Sequence, residues 1–146
     1  MRLWHEALIP YLPRQQLLGL HREVCALRGL GWGRKHATVN YVFDHPYAWL
    51  VDYHYSVIEE MENRGYHIDG KWYDCTYRGK NHSHYPSEDD IVNEICNHDA
   101  ERSINGPERF IYPEHDAVYL RECLDNLAGK GIYINMEANH EADKSV

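Results

Sequence analysis

Arg22 and Glu23 are the adjacent pair best suited to chemistry in this chain. They sit in the run LPRQQLLGLHREVCALRGLGWGRKH, residues 12–36. A carboxylate can stabilise a neighbouring cation and move a proton. A guanidinium offers paired donors to a phosphate. Gly19 lies one helical turn before Glu23 and leaves the surface beside that carboxylate bare. Gln16 and Glu23 share one flank of the helix, and Arg14, His21, Cys25 and Arg28 share the other. The basic run Arg34-Lys35-His36 follows Gly29, Gly31 and Gly33. A carboxylate beside a glycine notch, ringed by cations, is a place for an anion. The competing reading is a solvated helix of mixed charge.

Three long helices are predicted to position these groups. In the first, Leu17, Leu20, Val24 and Leu27 fall at helical spacing, Pro13 suits the first turn, and the glycines stop it. Before it, Met1–Leu12 is short and apolar, which brings the amino terminus close to the domain body, with His5 and Glu6 as a surface pair. Asp44 is placed to cap a second helix that starts near Pro46, carries Tyr47, Leu50, His54, Val57, Ile58 and Met61 on one stripe, and ends at Gly65. His54 therefore reads as a buried, hydrogen-bonded histidine rather than a ligand. Tyr66–Tyr112 is the least regular region, a long tyrosine-rich ordered loop with one short helix from Glu88 to about Asn97, capped by Ser87. A third long helix opens at Pro113 and runs to about Ala128, with Ala117, Leu120, Leu124 and Leu127 as its stripe and Gly129 and Gly131 as its stop. Ile132–Met136 adds a short extended piece. The expectation is an all-α single domain over residues 1–136 with a polar tail at 137–146.

The chain has 146 residues, enough for one domain with a real core. Its net charge of −8 argues against strong non-specific binding to nucleic acid and leaves room only for a local basic patch. Cys25, Cys75, Cys96 and Cys123 are scattered, with no pairing pattern. No signal-like opening and no long apolar run are present, so a cytoplasmic protein with reduced thiols and no membrane partner is expected. Cys75, His82, His84, Cys96 and His98 contain no C-x-x-C or H-x-x-x-H pair, and neither a metal nor a cofactor is expected.

The stretch LPRQQLLGLHREVCALRG followed by GRKH resembles the pyrimidine dimer DNA glycosylase family, typified by phage endonuclease V. HATVNYVF through ENRGYHI resembles that family's second helix, and YPEHDAVYLRECLDNLAGKGI more loosely its last. The opening MRLWHE–LIP–LPRQQLLG resembles a bacterial branch. The resemblance implies a compact all-α fold and an N-glycosylase with attached AP-lyase activity. In that chemistry an amine attacks the sugar C1′, the imine acidifies the C2′ proton, and the strand breaks by β-elimination. Arg22-Glu23 falls on the family's catalytic pair: Glu23 would assist the proton transfers and Arg22 would hold a phosphate. Arg2 is too large for the usual removal of the initiator residue, so Met1 would supply the α-amine. Such an amine, at a reference pKa of about 7.7–8.0, is more readily unprotonated than lysine at about 10.4. Arg14, His21, Arg28, Arg34, Lys35 and His36 would contact DNA. The implied partner is double-stranded damaged DNA, bound by a monomer. Two alternatives stand beside this. One is a non-catalytic nucleic-acid or protein interaction module that keeps the fold. The other is a His/Glu metal-dependent hydrolase using His5, His21, Glu23 and His36.

Overall fold

A computed structural model describes residues 3–29, 40–79, 87–105 and 110–136. It contains four α-helices among the described residues: α1 (Arg14–Arg28), α2 (Tyr47–Asn63), α3 (Glu88–Asn105) and α4 (Ala117–Gly129). Tight 3₁₀ turns lie at Glu6–Tyr11, Asn40–Asp44 and Gly70–Tyr73, and no strand occurs among the described residues. The all-α class predicted from the sequence is the class observed.

The α1 stripe packs as its spacing predicts: Leu17, Leu20, Val24 and Leu27 are all buried. They face α2, the central helix, which also touches α3 and the first two 3₁₀ turns. Leu50, Val51, Tyr53, His54, Val57 and Ile58 of α2 are buried. Gly65 ends this helix at φ +81, a left-handed conformation that only glycine adopts without strain. The Tyr66 amide then reaches the Met61 carbonyl at 2.9 Å and the Gly65 amide reaches Glu62 at 2.9 Å, so the last carbonyls find donors. Gly131, also at φ +81, closes α4 in the same way through Ile132 to Leu127.

The elements differ from the sequence reading at four places. Asp44 does not cap α2, because residues 40–44 form their own 3₁₀ turn and the helix starts after Pro46 with no side-chain cap. The helix that opens behind Ser87 does not stop near Asn97 but runs to Asn105, giving a fourth long helix. Its surface is almost all polar, so no apolar stripe marks its length. Ile91 anchors the first half, and Arg102 bonds Asp99 and approaches Asp52 of α2 at 3.6 Å in the second. Pro113 lies in a turn, and α4 starts at Ala117, where Asp116 accepts from the Tyr119 amide at 2.8 Å. Finally, His5 and Glu6 are not a surface pair. His5 is buried, accepts from the Ala7 amide at 3.0 Å and stacks on His115. Glu6 accepts from the Ile111 amide at 2.9 Å.

The amino-terminal segment is held down tightly. Leu3, Trp4, Leu8, Ile9 and Leu12 are buried. Tyr119 of α4 donates to the Leu3 carbonyl at 2.6 Å, and Tyr53 of α2 donates to the Trp4 carbonyl at 2.5 Å. Arg64 donates to the carbonyls of Leu12 at 2.7 Å and Pro10 at 3.2 Å.

Candidate active site

On the outer side of α1, Arg14 and Arg22 are exposed and Glu23 is half-buried. Arg14 leans over the Tyr66 ring at 5.5 Å. A Cβ added at Gly19 would meet the Arg22 Nη2 at 3.8 Å, an ordinary contact, so the glycine notch is walled on one side by that guanidinium. Arg22 and Glu23 thus stand together at the surface, a cation and a carboxylate beside a small open step. Met1, Arg34, Lys35 and His36, expected to complete this face, lie outside the described residues.

Arg28 corrects the sequence reading. The resemblance places it among the DNA contacts, yet it is 0% exposed. A guanidinium has five N–H donors and no acceptor. All five are directed to partners inside the protein: Nε to the Tyr47 hydroxyl at 3.3 Å, Nη1 to His54 Nδ1 at 2.9 Å and to the Trp72 carbonyl at 3.2 Å, and Nη2 to the carbonyls of Asp74 and Tyr77 at 2.9 Å each. The plane also lies over the Trp72 ring, 5.1 Å from its centre. Arg28 therefore fastens the segment 72–77 to α1 and α2 and has no donor left for DNA. Helical spacing carried the signal, since Arg28 follows buried Val24 by one turn. The partners at 72–77 had no signal in the sequence, because only the fold brings them there.

His21 also turns inward. Its Nδ1 lies 2.9 Å from His54 Nε2. Because Arg28 can only donate, His54 Nδ1 must accept, which leaves the His54 proton on Nε2, directed at His21 Nδ1. Burial, with the Arg28 charge second, holds His54 well below the ordinary histidine range. Burial first, then Arg22 and Arg28, lowers His21. Both rings are neutral near pH 7, in agreement with this hydrogen-bond order. Cys25, one turn beyond His21, has its thiol pushed up to about 12 by burial, so it is no nucleophile. Its Sγ lies 3.8 Å from His54 Nε2. His54 is the buried, bonded histidine that its place in the stripe predicted.

The other histidines behave differently. His115 Nδ1 accepts from the Glu6 amide at 3.1 Å and its Nε2 meets the Tyr41 hydroxyl at 2.8 Å. His98 bonds the Ile111 carbonyl at 2.7 Å and stacks on Trp49 at 3.7 Å between centres. Cys75 is buried and Cys96 exposed, while His82 and His84 lie outside the described residues. The His/Cys group whose ligand atoms converge, among the described residues, is instead His21, Cys25 and His54, all within 4.8 Å.

The α1 surface pair, the inward histidines and the pinned amino-terminal segment all fall within residues 1–74, and the model of the pyrimidine dimer DNA glycosylase family matches that stretch, half the chain. The chain belongs to the pyrimidine dimer DNA glycosylase family. Neither the comparison with curated proteins nor that with solved structures finds a match to it. For this glycosylase-family chain the matched part comprises α1, α2 and the three 3₁₀ turns, while α3 and α4 lie beyond it. Membership supports a general role in DNA repair at pyrimidine dimers, with DNA as substrate. No helix among the described residues is long and apolar enough to cross a membrane.

Proposed function

We propose that the protein is an N-glycosylase with AP-lyase activity on double-stranded, pyrimidine-dimer-type damaged DNA, working as a cytoplasmic monomer. The observation that carries this reading is the family match over residues 1–74, which spans both the amino-terminal segment and Arg22-Glu23. The Met1 α-amine attacks C1′ of the damaged nucleotide, and the bond from C1′ to the base breaks as the base takes one amine proton, remaining tethered to its dimer partner. The bond from C1′ to the ring oxygen O4′ then opens, O4′ takes the second amine proton, and the resulting imine makes the C2′ proton acidic. Glu23 assists its removal, and the bond from C3′ to the phosphate oxygen breaks. Arg22, exposed beside Glu23, holds a phosphate. Arg14 adds a second cation on the same helix, and Arg34, Lys35 and His36 complete the basic face. His21 contributes at most its outer ring edge, since its Nδ1 is engaged by His54.

Borohydride trapping tests the reading. Protein mixed with duplex DNA carrying an abasic site and reduced with borohydride should give a covalent adduct that maps to residue 1. An adduct on a lysine would remove Met1 as the nucleophile, and no adduct at all would remove the imine mechanism. The interaction-module reading gains one observation, since burial of Arg28 subtracts a cation from an already acidic protein. Duplex binding without any trapped adduct is the result that reading requires.

A further inference from the structure

We propose that His21, Cys25 and His54 form a binding site for one divalent cation of the zinc class, clamping α1 to α2. The inference does not rest on the lyase chemistry and shares no residue with Arg22-Glu23; with the proposed DNA face it shares only His21, through the ring nitrogen turned toward His54.

The geometry carries it. His21 and Cys25 are four residues apart on α1, which stacks their side chains on one face a turn apart. His54 meets them from the facing turn of α2. His21 Nδ1 and His54 Nε2 are 2.9 Å apart, and Cys25 Sγ lies 3.9 Å from the first and 3.8 Å from the second. Zinc–nitrogen bonds of about 2.05 Å and zinc–sulfur bonds of about 2.3 Å give a tetrahedron with edges of about 3.3 Å and 3.6 Å. The three atoms already form such a face to within a few tenths of an ångström. Two imidazoles and a thiolate suit zinc and its soft neighbours rather than magnesium or calcium, which take oxygen. His54 is buried, whereas His21 and Cys25 are half-buried, so the site lies at the margin of the core.

The buried Arg28 charge next to His54 does not oppose a cation, because the ion takes the place of protons. Binding displaces the proton between His54 Nε2 and His21 Nδ1, and the thiol proton of Cys25. Two protons leave for each dication, and the net charge of the site is unchanged. His54 becomes an imidazolate whose Nδ1 keeps its hydrogen bond from Arg28, a positive donor on an anionic ring. His21 stays neutral with its proton on Nε2.

The test is a titration of cobalt(II) into the metal-stripped full-length protein. One ion per chain should bind, with a thiolate-to-cobalt charge-transfer band in the near ultraviolet and the intense visible bands of a four-coordinate site, all displaced by zinc. Cys25→Ser should lose the charge-transfer band, and Cys96→Ser, which removes an exposed thiol elsewhere, should keep it. Absence of the band from the parent protein would overturn the proposal without reference to any variant. So would a band that survives Cys25→Ser or disappears in Cys96→Ser.

Discussion

Replacing Arg28 with methionine should cost the protein a large part of its stability. The variant keeps the aliphatic stem but removes a buried cation whose donors satisfy Tyr47, His54 and the carbonyls of Trp72, Asp74 and Tyr77. A buried hydrogen-bond partner left unmatched costs about 1–3 kcal/mol. Summing five such costs would overshoot, because Trp72 and Tyr77 are only half-buried and water can reach some of the freed carbonyls. Breaking a buried charged network typically costs about 3–5 kcal/mol, and that is the value expected here. At about 2–4 °C per kcal/mol for a domain of this size, the melting temperature should fall by roughly 6–20 °C. Arg28→Lys keeps the charge but has three donors on one nitrogen and cannot span partners on both sides, so it should recover no more than about half of the loss. Urea and thermal unfolding of the three proteins measure this, and amide exchange should show the 72–77 segment released first. A methionine variant within about 1 kcal/mol of the parent would refute the role given to Arg28. So would a salt slope of DNA binding that falls by about 0.9 in the folded variant, the signature of a lost phosphate contact.

Glu23→Gln keeps the shape and removes the charge, so strand cleavage should vanish with duplex binding nearly unchanged; cleavage at the parent rate would make Glu23 a plain surface residue. Arg34→Ala combined with Lys35→Ala should weaken binding to every duplex and flatten the plot of log affinity against log salt by about two, and parental binding would remove that run from the DNA face. Burial, with the His5 charge second, pushes His115 down to about 3 from 6.5. The unfolded chain takes up that proton first, so the stability contributed by neutral His115 is full above pH 6.5 and is lost as pH falls toward about 3. His115→Gln should therefore show a shallower acid limb in unfolding experiments, and identical limbs would contradict the buried neutral ring.

Much of this protein is legible in the order of its residues. The stripes Leu17–Leu27 and Leu50–Met61 predict α1 and α2 because a repeat near 3.6 residues puts them on one face, and burial of that face is what holds an amphipathic helix in place. Gly65 and Gly131 mark true helix ends because the left-handed turn they adopt strains any side chain with a Cβ. Arg22 and Glu23 are predicted neighbours and are neighbours, since adjacency needs no folding. The length of α3 was not legible, because a polar helix held by Arg102 against Asp52 has no apolar period to display. Nor was the fate of the charges. Arg14, Arg22 and Arg28 are alike as letters, but the first two meet solvent and the third meets a ring of carbonyls supplied from residues 72–77. Which cation faces solvent and which is locked in the core depends on what packs against each flank of α1. That packing is set by contacts between residues far apart in the chain, and local sequence does not encode them.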